Sequence, residues 1–298
     1  MTRFAAHRGG AALWPENSLL AFRQALALES DLVEFDVHQT ADGALVVIHD
    51  PTLDRTTDTT GPVAARSVAE VGRARLKGPD GALTLERVPT LEDVLALVAP
   101  SRTGLLVEVK GPFAGFGVRY ERRGRRSTAV PGARYEGLEA RLVASLRRAG
   151  LLTRSTIMAF NPDVVTAIRA LVPGQRTALL VAARHVRQAG ARPENAVDWA
   201  SAAGATDAGL QYTLVNDAVV KAARAAGLLL GVWTVNAEPA MRRLVELGVD
   251  VLTSDRPDVA RRVLGRGGSF SRIVLRIASM PEAISSFASN GVLPASSS

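Results

Sequence analysis

Eight short apolar runs, each followed by a stretch of helical period, predict an α/β chain closed into a (β/α)8 TIM barrel. Three observations carry that reading. The eight units occupy about 265 residues, close to the roughly 250 that such a barrel takes. The helical stretches open on cap chemistry: Asn161, Asn216 and Asn236 can each accept a hydrogen bond from an orphan amide, and Thr90 precedes Leu91 with Asp93 three residues on. They end on Ala-Gly or Leu-Gly at Gly150, Gly227 and Gly248, as left-handed helix ends require. A doubly wound open sheet shares this rhythm and is the alternative architecture.

In chain order, strands are expected at residues 4–6, 32–37, 105–109, 156–159, 177–181, 207–210, 229–234 and 249–252. The paired helices are expected at 18–28, 91–98, 138–149, 162–171, 194–202, 217–226, 239–247 and 257–264. One element breaks the alternation. The second strand runs into Asp42-Gly43 and a second apolar run, a strong hairpin signal. With a two-residue turn, His49 lies across from Asp36 and Val47 across from His38. Residues 50–89 then read as a small insertion after this hairpin, with one weak helical stretch at 68–75. Residues 111–136 read as a long, aperiodic, Arg-rich loop. The barrel is thus assigned to 1–264, and 265–298 to a disordered tail outside it.

Composition narrows the function. The chain has 298 residues, 47% hydrophobic and 22% charged, an ordinary soluble globular balance. It has no cysteine, which excludes disulfides, thiolate nucleophiles, zinc fingers and iron–sulfur clusters. The formal net charge is +7, which by itself hints at a polyanionic partner. The excess is local, however. Residues 119–134 hold six Arg against Glu121, the tail holds three Arg against Glu282, and the rest is neutral. The basic run has only Tyr120 to stack on a base, with Tyr135 at its edge, so no nucleic-acid partner is expected. Such runs are usually solvated loops. Its place just after Glu108 and Lys110 supports the sharper reading of a mobile lid that gathers anions. The longest uncharged apolar run, 225–237, is far short of the roughly 20 residues of a spanning helix. The N-terminus lacks the apolar stretch of a signal peptide. A cytoplasmic protein without stable membrane insertion is expected; for the tail segment 273–287, weak membrane-surface contact is the alternative to disorder.

Acid and base candidates gather at the ends of the early strands, where a barrel keeps its active site. His7 and Arg8 follow the first strand, Glu34 and Asp36 share one face of the second, His49 ends the hairpin return, and Glu108 and Lys110 end the third barrel strand. Three carboxylates at one mouth repel unless a cation sits between them. Oxygen ligands favour a hard divalent ion, Mg²⁺ or Ca²⁺. Arg8 and Lys110 suit a phosphate, and two histidines could exchange protons with an attacking and a leaving oxygen. The set reads as metal-assisted phosphoryl transfer to water.

These residues lie in an ordered series of motifs: His7-Arg8-Gly9, Pro15-Glu16-Asn17-Ser18 with Ala21-Phe22, Glu34-Phe35-Asp36-Val37, Thr40-x-Asp42-Gly43, Val47-Ile48-His49-Asp50, Leu53-Asp54-Arg55-Thr56-Thr57 and Gly61. Downstream follow Glu108-Val109-Lys110, Ala159-Phe160-Asn161, Trp233-Thr234-Val235-Asn236, Gly248-Val249-Asp250 and Thr253-Ser254-Asp255-Arg256-Pro257. In this series the chain resembles the glycerophosphodiester phosphodiesterases, from about Phe4 to Leu264. The resemblance implies a (β/α)8 fold and one divalent cation, Mg²⁺ or Ca²⁺, on Glu34, Asp36 and Glu108. It implies His7 and His49 as the acid–base pair, with Arg8, Lys110 and Trp233 on the substrate. The implied reaction cleaves a glycerophosphodiester to glycerol 3-phosphate and an alcohol; a lysophospholipase D acting through the same site is the alternative. Ala159 stands where the family often has Ser, and the loop at 111–136 is longer and more basic than its pattern, which bears on substrate preference.

Other residues read more plainly. His38 is left outside the catalytic set, and His185 is expected to be solvated. Glu16 and Asn17 both start a helix and support the site floor. Asp50, Asp54 and Arg55 form a loop ion pair or support the site. Trp233 reads as pocket wall and Phe160 as packing. The alcohol group, the oligomeric state, and attack by water or by the glycerol hydroxyl stay open.

Overall fold

The computed structural model describes residues 1–115, 117–123 and 126–266. The expectation of a disordered tail falls, but for its first two residues, outside the described residues. Eight parallel strands form the barrel: β1 Arg3–Ala6, β2 Leu32–Gln39, β3 Gly104–Val109, β4 Ser155–Ala159, β5 Arg176–Val181, β6 Asp207–Gln211, β7 Leu229–Trp233 and β8 Val251–Ser254. Each pairs with the next in the chain, and β1 pairs with both β8 and β2, so the sheet closes and the open-sheet alternative falls.

The helices are α1 Leu19–Ala27, α2 Leu91–Val98, α3 Leu138–Arg148, α4 Pro162–Leu171, α5 Asn195–Ala202, α6 Asp217–Ala225, α7 Glu238–Glu246 and α8 Pro257–Val263. Most of the core is the ring between sheet and helices, and a smaller cluster with Leu32, Leu106, Met158, Leu180 and Val251 lies on the other face of the strands. The outward residues Val33, Phe35, Val37 and Val107 pack on Phe22, Leu91 and Leu142. Phe22 meets Phe35 edge to face at 5.8 Å. Caps fix the starts of several helices. The Ser18 hydroxyl accepts from the amide of Ala21, Thr90 and Asp93 form a reciprocal box, and Asn161 and Asn216 cap α4 and α6. Asn236 does not cap α7; its carboxamide is turned to Ser254 and Asp255, next to the site.

The hairpin after β2 forms in a shifted register. Its turn holds three residues, because Thr40 pairs with Ala44 and Gly43 takes the left-handed position at φ +80. The return strand Leu45–Val47 therefore sets Val47 against Val37 and Val46 against His38. Ile48, not His49, bonds to the backbone of Asp36. His49 reaches the barrel mouth only after the strand has ended.

The following segment carries a small core of its own, with Val46, Ile48, Leu53, Val63, Leu76 and Val88. Its helix is shorter than the expected 68–75, covering Val68–Val71, and it gives way to a two-stranded sheet, Arg75–Lys77 with Leu83–Arg87. The Arg-rich loop is not aperiodic. Val118–Arg123 and Arg126–Pro131 pair as an antiparallel hairpin. The Tyr120 ring anchors it, stacked on Trp199 at 4.1 Å and tilted against His185 at 5.2 Å. His185 sits on a helix the sequence hid, Ala183–Gln188, and is buried, not solvated. Burial pushes its imidazole down to about 4.

Candidate active site

The first strand ends in a tight turn, His7–Gly9, laid against α1. Gly9 is obligatory there, since a Cβ would fall 2.6 Å from that of Ala21 at a φ of +80. Arg8 and Asn17 also take left-handed φ, at +50 and +58. Each such residue costs roughly 1–2 kcal/mol. The strain aims both at the carboxylates of β2. The Arg8 amide donates to Glu34 Oε2 at 3.0 Å, and Asn17 Nδ2 donates to Asp36 Oδ2 at 2.9 Å.

Register supplies the rest. Asp36 on β2 lies beside Glu108 on β3, and the period of a strand turns Glu34 inward with them. Oxygens of Glu34, Asp36 and Glu108 lie within 4.8 Å of one another, all buried. Lys110 Nζ stands 2.6 Å from Glu108 Oε1 and 3.0 Å from Asp36 Oδ1, and Arg8 Nε lies 3.3 Å from Asp36 Oδ2. Burial, then the charge of Asp36, pushes Glu34 up to about 8. Burial also works against ionised Asp36, but Lys110, His49 and Arg8 outweigh it and hold that carboxyl well below its usual range. Two cations, Arg8 and Lys110, thus face three carboxylates. An all-oxygen donor set with that deficit fits a hard divalent cation.

Two histidines flank the carboxylates, each oriented by a partner. His7 Nδ1 donates to Asp255 Oδ1 at 2.6 Å, and Asn236 Nδ2 holds the other oxygen at 2.7 Å. His49 Nδ1 donates to Asp50 Oδ1, also at 2.6 Å. That bond, with Arg55 behind it, outweighs partial burial and keeps the Asp50 carboxyl well below its usual range. With Nδ1 engaged on both rings, Nε2 is the nitrogen left for chemistry. His38 is buried and held down to about 4 by burial, hence neutral. Its Nε2 donates to the His49 carbonyl at 3.1 Å, and its Nδ1 accepts from the Tyr135 hydroxyl at 2.9 Å. It fixes the backbone of His49 and takes no place in the cavity.

The cavity, about 860 Å³ including its open mouth, brings His7, Arg8, Glu34, His49, Glu108, Lys110 and Trp233 together. Asp36 lies directly behind them, fully buried. Trp233 donates its indole N–H to the Gly209 carbonyl at 2.9 Å and meets Phe160 edge to face at 5.5 Å. Phe160 therefore is a wall of the cavity as well as packing. Asp255 and the amide of Asn236 are partners that spacing alone could not assign, although both stand in motifs visible in the sequence.

The profile of the Glycerophosphoryl diester phosphodiesterase family matches residues 7–259. A Bacillus subtilis glycerophosphodiester phosphodiesterase is 29% identical over 87% of this chain and 85% of its own. One from Caldanaerobacter subterraneus is 28% identical over 88% and 98%. The crystal structure of a glycerophosphodiester phosphodiesterase from Agrobacterium tumefaciens superposes with a TM-score of 0.68 at 26% identity, over 88% of this chain and all of that one. A phosphodiesterase from Oleispira antarctica, solved with its product sn-glycerol-3-phosphate, shares the fold with a TM-score of 0.70 at 24% identity, over 89% of this chain and 97% of its own. Fold, site geometry and family profile agree: this chain belongs to the glycerophosphoryl diester phosphodiesterase family and is a phosphoric diester hydrolase.

Proposed function

We propose that the chain hydrolyses glycerophosphodiesters to glycerol 3-phosphate and an alcohol at a centre where Glu34, Asp36 and Glu108 hold one divalent cation, Mg²⁺ or Ca²⁺. The observation that carries this reading is the pair of carboxylate-oriented histidines, His7 with Asp255 and His49 with Asp50, on either side of the buried acidic triad. A cation held by these three carboxylates would supply Lewis acidity to offset charge that gathers on the phosphate. Arg8 and Lys110 add positive charge at the same phosphate. One histidine takes the proton of the attacking hydroxyl while the other gives a proton to the leaving oxygen. One P–O bond forms, one breaks, and the two imidazoles end with protonation states exchanged. The aspartates stabilise whichever imidazole is cationic and keep each ring turned to the reaction. Trp233 and Phe160 form the apolar wall against which the carbon skeleton of the substrate rests. The product bound by the Oleispira antarctica relative, sn-glycerol-3-phosphate, matches the product expected of this chain.

The test is turnover of glycerophosphocholine with Mg²⁺ or Ca²⁺. Chelation should abolish it, and His7→Ala or His49→Ala should each lower kcat by about 10²–10⁴-fold, the usual worth of a positioned acid or base. Undiminished turnover in either variant overturns the acid–base assignment, and turnover that survives chelation overturns the cation.

A further inference from the structure

One side chain outside the cavity ties two parts of the site together. Arg55 belongs to the segment inserted after the β2 hairpin, and its planar guanidinium engages two carboxylates at once. Nη1 and Nη2 donate to Glu16 Oε2 and Oε1, both at 2.8 Å. Nε and Nη2 donate to Asp50 Oδ2 and Oδ1 at 2.6 and 3.2 Å. Both carboxylates also hold a residue of the site. Asp50 receives the Nδ1 proton of His49, and Glu16 receives Arg8 Nη1 at 2.9 Å. An unbroken chain of charge-assisted bonds therefore runs Arg8–Glu16–Arg55–Asp50–His49.

The stretch around Arg55 is built to hold it. Leu53, Thr56 and Thr57 are buried, and the Thr57 hydroxyl donates to the Leu53 carbonyl at 2.8 Å. Lys77, from the small sheet, reaches the carbonyls of Asp54 and Arg55 at 3.3 and 3.5 Å. The Arg55 side chain itself is 49% exposed, so as an ion pair it adds little to stability. Its value lies in direction. A fork of fixed geometry can orient two carboxylates together, and a lysine point charge cannot.

We propose that Arg55 is a positioning residue: through Asp50 it fixes the imidazole of His49, and through Glu16 the guanidinium of Arg8, so that the inserted segment sets an acid–base group and a phosphate-binding group in one step. This rests on the acid–base reading of His49 given above. Two signatures separate positioning from simple structural support. Arg55→Ala should lower kcat by about tenfold or more, as loss of a supporting partner usually does, and raise KM as well. Asp50→Asn should act on kcat, and Glu16→Gln mainly on KM. Because Arg55 acts through Asp50, adding Arg55→Ala to Asp50→Asn should lower kcat little further. Half exposure leaves room for chemical rescue. Guanidinium chloride well below its denaturing range should restore much of the kcat of Arg55→Ala, while equal NaCl should not. Arg55→Lys should recover only part of the loss, and it replaces Arg55→Ala in the comparison if the alanine variant fails to fold.

Wild-type kcat and KM in Arg55→Ala, with His49→Ala inactive, overturn the positioning role and leave the acid–base reading standing. Losses in Arg55→Ala and Asp50→Asn that multiply, without guanidinium rescue, overturn it too. Full activity in His49→Ala would instead remove the reading on which it rests.

Discussion

Two extensions rise from the barrel mouth, and they relate to the site in opposite ways. The segment after the β2 hairpin has its own apolar core and sends Asp50 and Arg55 into the network around His49 and Arg8. The Arg-rich hairpin is anchored at its base through Tyr120, on Trp199 and His185 of the second half of the barrel, while Arg119 lies 70% exposed and paired with Glu121. Asp50 and Arg55 bond directly to His49 and to Glu16, the partner of Arg8, whereas the Arg-rich segment reaches His49 through Tyr135 and His38. If the proposed acid–base roles hold, position within the hydrogen-bond network outweighs net charge, and that is the contrast to test.

The contrast can be broken most sharply by removing partners. Asp255→Asn and Asp50→Asn should each cost a large part of the about 10²–10⁴-fold carried by their histidines. Arg119→Ala with Arg122→Ala should change kcat/KM by less than about twofold at physiological ionic strength. A salt-dependent loss of about tenfold or more in that double variant would show that the hairpin gathers anionic substrate, and would break the contrast. Next in size is Tyr120→Ala. Loss of its stacked ring should lower stability by about 3–5 kcal/mol by denaturant titration, with kcat nearly unchanged. A large fall in kcat would tie the hairpin to the site.

Protons sharpen the account further. The Glu34 carboxyl is raised from 4.5 to about 8, so the folded, metal-free chain binds a proton that the unfolded chain has lost. Its contribution to stability should fade as pH rises from 4.5 to about 8, and a cation should then bind in the proton's place. The gain in Tm on adding Ca²⁺ or Mg²⁺ should therefore grow across that range; a gain that is flat or falls with pH would place the cation elsewhere. The smallest effect lies on the acid side. His38 and His185 are lowered from 6.5 to about 4, so stability is full above pH 6.5 and lost as pH falls towards 4. Thermal melts of wild type and His185→Gln should show a shallower acid slope in the variant.

Much of this was legible in the sequence because it rests on short-range rules. Strand period put Glu34 beside Asp36 and Glu108 two residues from Lys110, and the βα rhythm with its caps gave the barrel. The hairpin register escaped, because Asp42-Gly43 fits a two-residue turn or a three-residue turn with Gly43 left-handed, and the choice moves every pair by one. The His7–Asp255 pair escaped because 248 residues separate the partners and only closure of β1 on β8 joins them. Asn236 looked like a cap because a short amide before a helix usually is one. The Arg hairpin looked aperiodic because its inward residues, Val118, Tyr120 and Ala129, are few and lie among arginines, which leaves little apolar alternation to read.

The most direct measurement follows glycerophosphocholine by phosphorus NMR with metal-supplied wild type and Asp36→Asn side by side. The diester signal should give way to glycerol 3-phosphate with wild type and persist with the variant. Equal rates of disappearance in the two would contradict a reaction centred on Glu34, Asp36 and Glu108.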